Sequence, residues 1–136
     1  MAGIKITDQK ITELGPNEIF VFGSNLDGHH AGGAAKLAHK EFGAEWGKGI
    51  GMTGNCYAIP TMFNTVDFIK DYVDTFINHA ARDIHKTYLV TEIGCGIAGF
   101  TPEQVAPLFK EAIHLDNVHL PKSFWKIILF QDCLKN

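Results

Sequence analysis

The sequence lacks the features that mark membrane and secreted proteins. Nowhere do roughly eighteen apolar residues follow one another, so no membrane-spanning helix is expected. The opening stretch MAGIKITDQK contains no apolar run of signal-peptide length. The three cysteines, Cys56, Cys95 and Cys133, are odd in number and form no CxxC pair. We therefore expect a soluble, cytoplasmic protein with free thiols and no membrane partner.

Basic residues are also scarce. Twelve Lys and Arg stand against fifteen Asp and Glu, which leaves a net charge of −3. A strong nucleic-acid binder usually has a basic patch or a high pI, so nucleic acid is not expected as a partner. The seven histidines show no HExxH or paired spacing, so we expect no metal site and no cofactor. An anionic ligand would have to be held by local donors such as backbone N–H groups.

Strand-like and helix-like segments alternate along the chain. Strands are expected at 4–7 and 10–14 as short edge strands, and at 18–25, 56–62, 87–93 and 123–130. Helices are expected at 34–43, from Thr65 as N-cap to about Ile84, and after Thr101, while 43–55 is expected to be irregular. The apolar central strands predict one α/β domain over residues 1–136, with three α/β/α layers and a mixed, largely parallel sheet.

The helix after Thr101 has strong start signals. Thr101 suits the N-cap, Pro102 suits the first helical position, and Gln104 completes a capping box. Pro107 is expected to kink this helix.

Two glycine-rich loops each join a buried strand to a helix. The first is 22-FGSNLDGHHAGGAA-35 and the second is 94-GCGIAGF-100. Glycine has no Cβ, so a ligand can approach the backbone closely and successive N–H groups can converge on a phosphate. The alternative is that the glycines only make tight turns and close helix–strand contacts. Neither loop has the GxxxxGK[ST] spacing of a P-loop nucleotidase.

The two loops together resemble the ligand loops of macro domains. The run FVFGSNLDGHHAGGAAKLAHKEFGA is similar to the first loop of that family, and VTEIGCGIAGFTPEQVAPLFKEA is similar to the second. The short sequences IGCG and GNCYAIPT resemble the corresponding segments of the compact branch of terminal-ADP-ribose glycohydrolases and of short phage or bacterial macro-like proteins. The resemblance covers roughly residues 18–115 and implies a macro-like fold that binds ADP-ribose, either free or on an ADP-ribosylated protein.

The resemblance also assigns residue roles. Asn25 would contact the distal ribose, and Phe100 would pack beside the ribose or base. The implied ligand-binding residues are Gly23, Ser24, Asn25, Gly32, Gly33, Ala34, Gly94, Cys95, Gly96, Ile97, Ala98, Gly99 and Phe100. Residues 94–99 would supply backbone N–H groups to the diphosphate. The acid that reads adenine in the family should fall near Lys10, and Asp8 is close to that position.

The chain departs from the hydrolytic members of the family. Met62 follows the strand that carries their lysine nucleophile, and Ala98 or a neighbour occupies the region of their catalytic acid. Ala34 and Ala35 stand where larger hydrolytic macro domains carry an Asp. If the protein is an enzyme, we expect a hydrolase of ADP-ribose derivatives or ADP-ribose phosphate without the lysine nucleophile.

In such a hydrolase, Asn25, Asp27 or His30 would position a water molecule against the anomeric carbon or the phosphorus of the substrate. Each has an ordinary alternative: Asp27 begins an Asp-Gly turn pair, and His29 and His30 can be solvated loop residues. Cys95 is either a small packed residue or half of a Cys–His pair. Trp46 is either a lid over a base or an anchor for its segment. The rival to the ligand hypotheses is a non-catalytic interaction domain whose glycine loops are structural.

Overall fold

A five-stranded sheet forms the centre of the fold, seen in a computed structural model that describes residues 3–135. The strands are β1 (Glu18–Ser24), β2 (Gly51–Thr53), β3 (Cys56–Pro60), β4 (Thr87–Val90) and β5 (Val118–His119). Their order in the sheet is β2-β3-β1-β4-β5. β1 runs parallel to both β3 and β4, β5 runs parallel to β4, and β2 is antiparallel to β3. The predicted mixed, largely parallel sheet is confirmed.

Helices cover both faces of this sheet. They are α1 (Gly33–Glu41), α2 (Asp67–Arg82), α3 (Pro102–Val105) with the 3₁₀ helix Ala106–His114 directly after it, and α4 (Lys122–Lys135). Side chains alternate along β1: Phe20 and Phe22 belong to a small core cluster with α1, whereas Ile19 and Val21 belong to a larger one with the other helices. Because successive strand residues face opposite ways, one apolar run supplies two cores. The three-layer α/β/α arrangement follows.

The predicted capping box at the start of α3 is present. The backbone N–H of Gln104 donates to Thr101 Oγ1 at 3.3 Å, and the Thr101 N–H donates to Gln104 Oε1 at 3.0 Å. At Pro107, where a kink was expected, the helix changes type: the α-helix ends at Val105 and the following 3₁₀ helix contains Pro107. A proline cannot donate the i→i−4 hydrogen bond that would continue the α-helix.

The expected strand at 123–130 is wrong, because this segment lies within α4. Phe124, Trp125 and Ile128 are buried, a spacing that suits one face of a helix. The N–H groups of Phe124 and Trp125 both donate to the carbonyl of Pro121, at 3.0 and 3.1 Å, which starts the helix there. A short apolar run does not distinguish a buried strand from a buried helix by its periodicity.

Three smaller expectations also need correction. The stretch 4–7 forms only an isolated bridge between Ile6 and Leu120, and 10–14 forms no strand. The segment 43–55 is not wholly irregular, because it contains β2. Helix α2 is capped by Val66 without a side-chain hydrogen bond, so Thr65 is not its N-cap.

Within residues 3–135, no helix combines the length and the apolar character that crossing a membrane requires.

The half-buried His119, in β5, makes the stability of the fold depend on pH. Burial lowers the pKa of His119 from its ordinary 6.5, and Lys5 adds to the shift, while Glu18 and Asp8 oppose it. Just below pH 6.5 the unfolded chain therefore binds more protons than the folded one at this site, and stability rises with pH. We expect the free energy of unfolding to rise between about pH 5 and pH 7, and to rise less in His119→Asn. Urea unfolding at each pH measures this, and equal slopes in the two proteins would contradict it.

Candidate functional site

The chain leaves two neighbouring strands toward opposite faces of the sheet. After β1 it forms the first loop (residues 25–32) and enters α1, which packs on the small-cluster face. After β4, which pairs with β1, it forms the second loop (residues 94–100) and enters α3 on the other face. Such a switch point opens a crevice beyond the carboxyl ends of parallel strands, where ligands bind in α/β folds.

Both loops line one cavity of about 380 Å³, called here the loop cavity. The predicted binding residues that line it are Gly23, Ser24, Asn25, Gly32, Gly33, Ala34, Gly94, Gly96, Ile97 and Ala98. The structure therefore brings together two segments that lie about seventy residues apart in the sequence.

The second loop presents backbone amides without partners. Its turn is closed by three hydrogen bonds: Cys95 N–H to the Glu92 carbonyl at 3.2 Å, Gly99 N–H to the Gly96 carbonyl at 3.0 Å, and Phe100 N–H to the Gly94 carbonyl at 2.8 Å. The amides of Gly96, Ile97 and Ala98 donate no hydrogen bond within the described part of the chain. All three residues line the loop cavity. Successive free N–H groups of this kind form an anion-binding concavity.

The N-terminus of α1 also borders the loop cavity. Gly32 is the N-cap and makes no side-chain capping bond, and the first turn carries no acidic residue. Gly33 and Ala34 in that turn line the cavity. The first N–H groups of a helix have no intrahelical acceptor, and the helix dipole places a partial positive charge there. The start of α1 and the second loop therefore border the same cavity.

Gly23 allows the two loops to approach each other. A Cβ on this residue would lie 3.1 Å from Thr61 Oγ1 and 3.3 Å from the backbone nitrogen of Gly94. Ile97 extends from the second loop toward the first, since its Cδ1 would lie 3.2 Å from a Cβ placed on Gly32. Its side chain is nevertheless 75% exposed, which leaves a large apolar group available to a ligand.

Several lining residues were not expected from the sequence. They are Thr61, which follows β3, Thr91, Glu92 and Ile93, which follow β4, and Ala31 in the first loop. Met62 and Ala35, which the resemblance set at positions of catalytic residues in hydrolytic relatives, also line the cavity. His29, weighed beside His30 as a candidate, also lines the cavity. The carboxyl ends of parallel neighbours meet at one sheet edge, so strand order would have identified the residues that follow β3 and β4.

Three predicted binding residues, Cys95, Gly99 and Phe100, do not line the loop cavity. Gly99 and Phe100 close the turn of the second loop, and the Phe100 side chain packs against the larger core cluster. The Cys95 thiol donates to the Ile93 carbonyl at 3.4 Å. Burial, together with Glu92 and Glu103, raises the pKa of Cys95 to about 11. The thiol therefore stays protonated at neutral pH and is a poor nucleophile.

The three candidate catalytic residues are not assembled around one point. Asn25 lines the loop cavity, but its amide also holds the first loop: Nδ2 donates to the His29 carbonyl at 3.0 Å and Oδ1 accepts from the His29 N–H at 2.9 Å. Asp27 is exposed and lies outside the wall. His30 is 1% exposed and also lies outside it.

His30 has a structural contact instead. Its Nε2 donates to the Glu45 carbonyl at 2.9 Å, which leaves Nδ1 buried without a partner among the described residues. Trp46 packs against the rings of His29, His30 and His39. These contacts tie the segment 43–50 to the first loop, so Trp46 is an anchor.

A second cavity of about 360 Å³, called here the side cavity, adjoins the first. Its walls are Thr7, Asp8, Gln9, Ile11, Val90, Thr91, Glu92, Pro121, Lys122 and Ser123. Thr91 and Glu92 line both cavities, so the two share a wall. Thr7 is 4% exposed, and its Oγ1 has no hydrogen-bond partner within residues 3–135. A buried hydroxyl without a partner is rare unless a ligand or water satisfies it.

The chain is an α/β domain with a cavity at the switch point of its sheet. No protein-family model matches the chain, and no curated protein or solved structure matches it. Among the described residues, no group of three or more His, Cys, Asp or Glu side chains could hold a metal ion.

Proposed function

We propose that this domain is macro-like and binds ADP-ribose, or a related nucleotide diphosphate, across the loop and side cavities. The observation that carries the proposal is the set of unpartnered amides at Gly96, Ile97 and Ala98, which share a cavity with the uncapped N-terminus of α1. Both arrangements bind phosphate in proteins through main-chain donors. The pyrophosphate of the ligand would lie between them.

The charges around the loop cavity support main-chain recognition. In the part of the chain that the structure describes, no Lys or Arg lines this cavity, whereas the carboxylate of Glu92 does. The net charge of −3 would not attract an anion from a distance. Fixed backbone dipoles therefore have to supply the attraction.

The side cavity suits the base of the ligand. It offers apolar walls from Ile11, Val90 and Pro121, and polar groups at Asp8 and Thr7. Small-molecule sites combine apolar walls with polar groups that orient the ligand, and the polar residues are seven of the ten in this lining. The Asp8 carboxylate accepts hydrogen bonds, so an exocyclic amino group such as that of adenine would complement it.

Isothermal titration calorimetry with ADP-ribose tests the proposal. We expect saturable heat with Kd below about 100 μM, and weaker binding of ADP and of adenosine, which lack part of the ligand. Native mass spectrometry of freshly purified protein would show whether a nucleotide remains bound. Absence of heat at millimolar ADP-ribose, with a cooperative thermal transition confirming the fold, would refute the proposal.

Hydrolysis of ADP-ribose derivatives has less support in the geometry than binding. Of the candidate catalytic residues, Asn25 lies in the loop cavity, whereas Asp27 and His30 lie outside it. Turnover of ADP-ribosylated protein or ADP-ribose phosphate tests this extension, and Asn25→Ala should slow it.

We also propose that the protein is cytoplasmic, because Cys56, Cys95 and Cys133 are all free, as in a reducing compartment.

A further inference from the structure

We propose that Glu92 recognises the vicinal hydroxyls of the nucleoside ribose and so selects ligands with an unmodified ribose over ligands with a 2′-phosphate. This inference rests on the proposed function, since it concerns a nucleotide that lies across both cavities. It assigns to Glu92 a specificity that the loop glycines cannot provide, because backbone N–H groups recognise any phosphate alike.

Glu92 lies where the nucleoside ribose of the proposed ligand would lie. Glu92 and Thr91 form the wall shared by the loop cavity and the side cavity. A nucleotide with its pyrophosphate in the first and its base in the second must carry its nucleoside ribose past this wall. The ribose presents two adjacent hydroxyl groups there, and both can donate hydrogen bonds.

The Glu92 carboxylate is prepared to accept such donors. Its side chain is exposed, and Ser123 Oγ donates to Oε2 at 2.6 Å. The other oxygen, Oε1, makes no hydrogen bond to any residue in the described range 3–135. An ionised carboxylate has about four acceptor sites, so the bond from Ser123 orients the group and leaves room for two hydroxyls. Carboxylates in other nucleotide sites bind ribose hydroxyls in the same way.

The surrounding charges disfavour an additional phosphate on this ribose. Asp8 and Glu92 both line the side cavity, and among the described residues Lys122 is the one Lys or Arg in its lining. The side chains of this wall carry two carboxylates against one exposed ammonium group, a formal charge of −1, which the partial positive charge at the N-terminus of α4 reduces. A 2′-phosphate placed at Glu92 would meet a like charge at short range and would also lack the hydrogen bond that the 2′-hydroxyl donates, so it costs more than removal of the hydroxyl alone.

Calorimetry with three ligands tests the inference. The ligands are ADP-ribose, its analogue without the 2′-hydroxyl on the adenosine ribose, and its analogue with a phosphate there. With the wild-type protein, removing the hydroxyl should weaken binding about tenfold, because a hydrogen bond to a carboxylate is lost. Adding the phosphate should weaken binding by more than about tenfold.

Two substitutions of Glu92 separate hydrogen bonding from charge. Glu92→Ala should bind ADP-ribose and the 2′-deoxy analogue with similar affinity. Glu92→Gln keeps an acceptor and removes the charge, so it should bind the 2′-phosphate ligand about tenfold more tightly than the wild type does. Glu41→Gln is the matched control, because Glu41 is an exposed glutamate at the end of α1 and lines neither cavity.

The outcomes distinguish this inference from the proposed function. If the wild-type protein does not bind ADP-ribose, the proposed function fails and the inference fails with it. If ADP-ribose binds and Glu92→Ala discriminates among the three ligands as strongly as the wild type, the inference alone is overturned.

Discussion

Gly96→Glu is expected to abolish ADP-ribose binding while leaving the fold intact. Gly96 lines the loop cavity, its φ is outside the left-handed region, and a Cβ there would meet nothing within 4 Å. The new side chain therefore has open space at the cavity lining and does not clash with the protein. Its carboxylate would occupy the region proposed for the pyrophosphate, and such like-charge contacts cost several kcal/mol. We expect affinity to fall by about a hundredfold or more.

Calorimetry and thermal unfolding measure this prediction together. Gly3→Glu is the matched control, because Gly3 is exposed, has open space around it and lies outside both cavities. It adds the same charge, and we expect it to bind ADP-ribose like the wild type. Normal binding by folded Gly96→Glu would contradict the anion site at the second loop. If this variant kept the binding of a protein partner instead, the interaction-domain alternative would gain support.

Gly49→Ala is expected to destabilise the protein strongly, although Gly49 lies in neither ligand loop. A Cβ on Gly49 would overlap the carbonyl oxygen of Asn25 and lie 3.1 Å from the nitrogen of Gly28. These atoms cannot move away freely, because the Asn25 carbonyl accepts the Gly28 N–H at 3.0 Å. The Gly49 carbonyl in turn accepts a hydrogen bond from Ser24 Oγ. Overpacking against rigid backbone of this kind costs about 3 kcal/mol.

Chemical denaturation of Gly49→Ala measures the loss. Gly96→Ala is the control, since it adds the same methyl group in open space and should change stability by less than about 1 kcal/mol. We also expect weaker ADP-ribose binding by Gly49→Ala, because the first loop would shift with Asn25. An unfolding free energy equal to that of the wild type would show that segment 43–50 does not support the first loop as described.

Local signals were sufficient for much of the fold. The continuous apolar run at 18–25 predicted a strand buried on both faces, and β1 does supply both core clusters. Thr101, Pro102 and Gln104 predicted the start of α3 because a capping box acts within one turn. Two glycine loops at strand-to-helix junctions predicted a shared cleft, and they line one cavity. These features depend on neighbours in sequence or on the general rule for parallel sheets.

Other features depended on which segments meet in space. The apolar residues of the run SFWKIILF are compatible with a buried strand and with a buried helix. The segment is helical in the structure, where it packs against the 3₁₀ helix and α3. His30 has the residue type of a loop catalyst, yet it is buried and donates a hydrogen bond to the carbonyl of Glu45 in the 43–50 segment. No local pattern in the sequence indicates that contact.

The sequence by itself determined the layered α/β architecture, the start of α3 and the two glycine loops, because periodicity, capping and backbone freedom act over a few residues. Only the tertiary structure decided that Thr7, Glu92 and Ser123 surround one cavity. These residues come from the N-terminal segment, the end of β4 and the start of α4, and the order of strands in the sheet is what brings them together. Such contacts between distant segments depend on packing of the whole chain.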